Sequence, residues 1–76
     1  MTTPTVSLAR RAEALFVSSL QPSEQPSASD VRRAIATSLR AYGGPSGCAA
    51  RCAAEFGDHP DESANRMRWA LHVLTP

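Results

Sequence analysis

The stretch EFGDHPDESANRMRWAL, residues 55–71, decides the fold because it contains the signals for the end of one helix and the start of another. Gly57 favours the left-handed conformation in which helices commonly stop. Pro60 is a favourable first residue of a helix, and Asp58 or His59 precedes it as the capping residue. The stretch therefore predicts two consecutive helices separated by a short turn.

The two predicted helices each carry an apolar face. The helix after the turn is predicted over residues 60–74. Its core-facing stripe is Ala64, Met67, Ala70, Leu71 and Leu74. The helix before the turn is predicted over residues 46–56, with Ser46 as its cap and Gly57 as its left-handed stop. Its shared face is Ala49, Cys52, Ala53 and Phe56, and the small residues allow close helix packing.

An earlier helix is predicted over residues 5–20, with Arg10 and Val17 pointing away from its apolar face. That face is Leu8, Ala12, Leu15 and Phe16, followed by Leu20 at its end. The segment QPSEQPSA, residues 21–28, contains two prolines and is predicted to be a surface loop.

The second helix is predicted over residues 30–42, with Ser27 or Ser29 as its cap and Asp30 favourable in the first turn. Its stripe is Val31, Ala34, Ile35, Leu39 and Tyr42. Residues 43–45, Gly-Gly-Pro, end the helix. No segment alternates with period two for long enough to indicate a strand.

These four segments predict an all-α protein, a small four-helix bundle forming one domain over residues 1–76. Its last three helices are expected to form a helix-turn-helix-like unit, with the first helix packed across it. A chain of 76 residues buries a smaller fraction of its surface than a larger protein, so its stability is expected to be modest.

The charge is unevenly spread along the chain. Residues 1–54 hold six arginines against three acids, which gives +3, and residues 55–76 hold two arginines against four acids, which gives −2. A dedicated nucleic-acid binder usually has a stronger basic excess. No apolar run approaches the roughly 18 residues of a membrane span, and no secretory signal precedes the first helix. The expected location is therefore cytoplasmic.

The pattern of residues 49–71 resembles the helix-turn-helix superfamily, in particular the C-terminal regions of sigma-factor type. Ala53 and Gly57 are four residues apart, as in that superfamily, and the segments CAAEFG and RMRWAL look like the corresponding stretch of the sigma-factor regions. The resemblance covers under a third of the chain. It implies that the last helix enters the major groove of DNA, with Arg66 and Arg68 as the contacts.

Two features of the same stretch depart from a DNA-reading helix. Asp58 and Ser63 stand where the superfamily pattern is usually apolar. Four carboxylates also crowd the start of the last helix: Glu55, Asp58, Asp61 and Glu62. Phosphates dominate the affinity of proteins for DNA, so these carboxylates should oppose docking.

Trp69 provides the main sign of a protein partner. It lies almost opposite the predicted core stripe of its helix, at 100° per residue. An exposed tryptophan beside arginine is typical of an interface anchor. The predicted partner-binding residues are Trp69, Arg66, Asn65 and His72. The structural alternative is that the first helix covers Trp69 through Phe16 and Leu20.

Cys48 and Cys52 are four apart on one predicted helix, where a disulfide would need distorted geometry. Zinc would need two more ligands, so the sequence predicts core cysteines, no metal and no cofactor. No glycine-rich phosphate loop or catalytic triad spacing is present, and no enzyme activity is expected.

The sequence therefore predicts a small non-enzymatic regulatory or adaptor module that binds a protein partner. Transcription is one process in which such a module is expected to act. A small helix-turn-helix DNA-binding regulator is the alternative. A redox- or metal-responsive protein using Cys48 and Cys52 is the third hypothesis, and self-association into a homodimer also remains open.

Overall fold

The computed structural model describes residues 7–76 of the chain. In this range the chain forms four α-helices: α1 (Leu8–Phe16), α2 (Ala28–Ala41), α3 (Gly44–Asp58) and α4 (Pro60–Leu74). A short 3-10 turn, Pro22–Glu24, lies between α1 and α2. The all-α, four-helix fold is confirmed, and no strand occurs between residues 7 and 76.

The first helix lies at the centre of the bundle. It packs against each of the other three helices, whereas α2 and α4 barely touch each other. Three consecutive residues of α1, Ala14, Leu15 and Phe16, are buried. Consecutive side chains of a helix point about 100° apart, so this burial requires neighbours on more than one side. This differs from the expected compact unit of α2, α3 and α4 with α1 packed across it, because α2 and α4 barely touch each other.

The core consists largely of small side chains. The buried residues are Ala12, Ala14, Leu15, Phe16, Val31, Ile35, Ser38, Cys48, Cys52, Ser63 and Ala70. The thiol of Cys48 donates to the carbonyl oxygen of Ser38 at 3.5 Å, which joins α3 to α2. No buried side-chain nitrogen or oxygen in the described part of the chain lacks a hydrogen-bond partner. Small residues thus let the helices approach closely without leaving polar groups unsatisfied.

The observed core differs from the predicted stripes at several positions. Leu8, Tyr42 and Leu71 are exposed, as is Ala53. In the opposite sense, Val17 packs against the core instead of pointing away. On α4 the buried face includes Ser63 and Ala70, so it is rotated by about one residue from the predicted stripe because α4 packs against both α1 and α3.

The first helix is shorter than predicted. It begins after Ser7, whose hydroxyl accepts from the Arg10 amide at 3.2 Å, and it ends at Phe16 rather than at residue 20. The Ser18 hydroxyl donates to the carbonyl of Leu15 at 2.6 Å. Serine side chains compete in this way with the helical backbone pattern. The predicted start at residue 5 lies outside the described residues.

The second helix begins two residues earlier than predicted, and Ser27 is confirmed as its cap. The Asp30 amide donates to the Ser27 hydroxyl at 3.1 Å, and the Ser27 amide donates back to the Asp30 carboxylate at 3.1 Å. This reciprocal pair is a capping box. The amide of Ser27 is the main cause of the lowered pKa of Asp30.

Two glycines turn the chain between α2 and α3. Gly43 and Gly44 have φ angles of 80° and 88°, and α3 begins at Gly44, not after a Ser46 cap. Gly47 permits a close approach, because a Cβ atom there would overlap the carbonyl oxygen of Tyr42 and lie 2.6 Å from its carbonyl carbon. Backbone atoms of Tyr42, directly after α2, therefore fill the space that a side chain at position 47 would need.

The prediction that Gly57 stops α3 in a left-handed conformation is wrong. The helix continues through Gly57 to Asp58, and Gly57 is not among the residues with positive φ. Only His59, with φ −138° and ψ 70°, separates α3 from α4. This one residue turns the chain without a left-handed glycine, and α4 begins at Pro60 as predicted.

Replacing Gly47 and Gly57 by alanine should have opposite effects on the stability of the protein. Gly47→Ala should destabilise the protein, because the new Cβ collides with backbone atoms of Tyr42. Gly57→Ala should raise the free energy of unfolding by about 0.5–1 kcal/mol, because alanine is favoured over glycine inside helices. A Cβ at position 57 meets no atom within 4 Å. Thermal unfolding followed by circular dichroism measures both variants, and a destabilised Gly57→Ala would contradict the helical conformation at that position.

Candidate protein-binding site

The guanidinium group of Arg66 joins α4 to the backbone that follows α1. Its Nε donates to the carbonyl oxygen of Phe16 at 2.6 Å. One Nη donates to the carbonyl oxygens of Ser18 at 2.9 Å and of Leu20 at 2.8 Å. The last carbonyls of a helix lack partners within the helix. Arg66 therefore supplies a side-chain cap for the end of α1, which has no glycine stop.

Two aromatic rings enclose the same guanidinium. Its carbon lies 5.9 Å from the centre of the Phe16 ring and 5.0 Å from the centre of the Trp69 ring, both within cation–π distance. Burial lowers the pKa of Arg66, although an arginine side chain remains charged in proteins. The three carbonyl bonds compensate for the lost hydration. Arg66 thus faces its own chain, whereas the sequence reading placed it toward a partner or DNA.

Of the other predicted partner-binding residues, Trp69 belongs to this cluster, whereas Asn65 and His72 lie outside it. Trp69 is half-buried and packs against the core. Asn65 is exposed and accepts a hydrogen bond from Arg68, the second predicted DNA contact. His72 is also exposed. The structure therefore brings together Arg66 and Trp69, and it leaves Asn65, Arg68 and His72 on the outer side of α4.

An open groove lies at the end of the bundle where α1 stops and α4 starts. We call it the α3–α4 groove, and its volume is about 400 Å³. It is lined by Phe16, Val17, Tyr42, Arg51, Glu55, His59, Glu62, Ser63 and Arg66. The ring of Phe16 is stacked on that of Phe56, with centres 5.7 Å apart and an interplanar angle of 17°. Tyr42 is 39% exposed at its mouth.

The corner of the α3–α4 groove, where α3 meets α4, carries four of the seven Asp and Glu residues of the chain. Glu55 and Glu62 line the groove, and Asp58 and Asp61 are exposed at this corner. Arg51 approaches Glu55 at 3.8 Å, an exposed contact worth at most about 1 kcal/mol. No ion pair within residues 7–76 involves the other three carboxylates.

Sequence reasoning recognised the acids but missed the groove. Tyr42 was assigned to the core and Val17 to the solvent side, and both line this groove instead. Their positions depend on how α1 and α2 end, which the apolar periodicity of each helix does not reveal. A tyrosine directly before two glycines was the one available signal that the ring leaves the core.

The two cysteines are buried free thiols. Burial, followed by the nearby Glu13 carboxylate, raises the pKa of Cys52 to about 11 and also raises the pKa of Cys48. The thiolate is the reactive and metal-binding form of cysteine. In the described range, no three or more His, Cys, Asp or Glu side chains are grouped to hold a metal ion. Both thiols thus have the environment of core residues.

Comparison of the chain with protein-family models, curated proteins and solved structures gives no match. From residue 7 onward, no helix is both long enough and apolar enough to cross a bilayer. The helix-turn-helix resemblance remains a prediction. Ala53 is exposed, and a single residue joins α3 to α4 where helix-turn-helix units use a turn of three to four residues.

Replacing Arg66 should destabilise the fold far more than replacing its exposed neighbour. Arg66→Ala leaves three carbonyls without their donor and removes both ring contacts, so the free energy of unfolding should fall by about 2–4 kcal/mol. Arg66→Lys should have a free energy of unfolding between those of Arg66→Ala and the wild-type protein, because an ammonium group lacks the planar fork of a guanidinium.

The matched control is Arg68→Ala, which should change stability by less than about 0.5 kcal/mol. Urea unfolding of all three variants provides the comparison. Equal effects of the alanine substitutions at positions 66 and 68 would show that Arg66 does not cap α1.

Proposed function

We propose that this chain is a non-enzymatic adaptor module that binds a protein partner in the α3–α4 groove. The observation that supports the proposal is the groove itself, an open cleft of about 400 Å³ with aromatic walls. Cavities of roughly 300–1,000 Å³ are large enough to enclose a ligand or the anchoring side chains of a partner.

The residue types around the groove favour a protein as the ligand. Tyrosine is enriched at protein interfaces, and Tyr42 is exposed at the mouth of the groove. Behind it, the ring of Phe16 lines the groove and is stacked on the ring of Phe56. The bonds from Arg66 to the end of α1 hold this part of the groove wall in place. A preformed site costs less ordering entropy on binding than a flexible one.

DNA binding is the weaker proposal. Of the two predicted contacts, Arg66 is bonded to backbone carbonyls at and after the end of α1, and only Arg68 is exposed. Both acids in the first turn of α4, Asp61 and Glu62, are exposed where that helix would meet phosphates. Repulsion at these positions supports a protein partner over a duplex.

Site-specific photocrosslinking in the source cells distinguishes the two candidate binding faces. A photoreactive phenylalanine derivative replaces Tyr42 in the groove or His72 on the outer side of α4, and both positions are exposed. We expect a discrete protein adduct from position 42 and little from position 72. The purified partner should then shift NMR signals of groove residues.

Each other outcome contradicts part of the proposal. An adduct only from position 72 would assign binding to the face of Asn65, Trp69 and His72 that the sequence suggested. Adducts with nucleic acid at either position would favour the DNA-binding alternative. The absence of any protein adduct from both positions would contradict an adaptor function.

A further inference from the structure

We infer that the partner inserts an arginine or lysine, flanked by apolar residues, into the α3–α4 groove. This inference rests on the proposed function and specifies the chemistry of the partner. The occupant is a basic segment of another protein, whose positive head group meets the carboxylates of the rim and whose neighbouring side chains cover the aromatic wall.

Acidic side chains outnumber arginines at the groove and its corner. The rim and its corner present four carboxylates: Glu55, Asp58, Asp61 and Glu62. The lining also holds two arginines, Arg51 and Arg66, so the four carboxylates leave this end of the bundle with a net charge of −2. Asp58, Asp61 and Glu62 have no ion-pair partner in the described chain. A cation from outside can therefore pair with these carboxylates without displacing an internal bond.

The size and lining of the groove suit a long side chain with a charged end. Its volume suits one or two side chains rather than a whole helix. Arginine and lysine bury an aliphatic stem while their charged head stays near polar groups. The stem can pack against Phe16 and Val17, and the head can lie over the exposed ring of Tyr42 in a cation–π contact.

A phosphate group fits the groove less well than a basic protein segment. A phosphate at the groove would face the carboxylates of Glu55 and Glu62, while Arg66 is bonded to backbone carbonyls. On the outer face of α2, by contrast, Arg32, Arg33 and Arg40 are all exposed, and of these three only Arg33 makes an ion pair, with Asp30 at 3.9 Å. Like charges facing each other in an interface are strongly unfavourable.

The test uses a pair of short helical peptides as probes. One peptide carries arginines and leucines on a single face, and the second has glutamates in place of the arginines. Each is titrated into isotope-labelled protein, and NMR shifts give the site and the dissociation constant. We expect the basic peptide to shift groove signals and the acidic peptide to bind at least tenfold more weakly, with affinity for the basic peptide falling as salt increases.

Substitutions on the protein complete the test. Glu55→Gln combined with Glu62→Gln should lower the affinity for the basic peptide about tenfold. Tyr42→Ser should lower this affinity both in the wild-type protein and in the double variant. Glu24→Gln is the matched control, because it removes an exposed carboxylate from the 3-10 turn outside the groove, and it should leave affinity unchanged. Circular dichroism checks that every variant is folded.

Several results would overturn the inference. These are equal affinity for the two peptides, equal effects of the groove and control substitutions, or shifts outside the groove. Concentration-dependent self-association through the groove would assign it to a second copy of the chain. If photocrosslinking at position 42 captures a protein segment without a basic residue, the adaptor function stands and this inference fails. If it captures no protein, this inference fails, and the adaptor function fails as well when position 72 also captures none.

Discussion

The hydrogen bonds between Arg66 and the backbone after α1 are the interaction on which the rest of this structure depends. Because α1 is the helix around which the other three pack, the position of its end sets the position of everything that touches it. The carbonyls of Phe16, Ser18 and Leu20 converge there, and backbone acceptors removed from water need donors. One guanidinium group bonds to all three, so a residue on the last helix fixes the end of the first.

Small side chains allow this contact to form. Ser63 and Ala70 lie three residues before and four after Arg66, on the same face of α4, and both are buried. They let α4 approach the bundle closely enough for a partly buried arginine to reach the backbone of α1. The larger aromatic rings then gather at one end, where Phe16 stacks on Phe56 and Tyr42 remains exposed. The groove follows from this division between a tight small-residue core and an aromatic end.

The local signals of the sequence were sufficient to predict the helices but not how they meet. Ser27 and Pro60 mark helix starts because capping and proline preferences act within a few residues of the chain. The prediction that Gly57 ends α3 failed because a glycine permits a left-handed turn without requiring one. Here the chain turns at His59 instead. The role of Arg66 could not be predicted, because its partners are backbone carbonyls some fifty positions away that leave no pattern in the sequence.

The most direct test of this account is an NMR measurement on the arginine side chains of the intact protein. The Nε–H group of Arg66 should exchange slowly with water and show a scalar coupling across the hydrogen bond to the carbonyl carbon of Phe16. The Nε–H group of Arg68, on an exposed side chain, should exchange rapidly and show no such coupling. Rapid exchange of Arg66, at the rate of Arg68 and without coupling, would contradict the claim that Arg66 holds the end of α1.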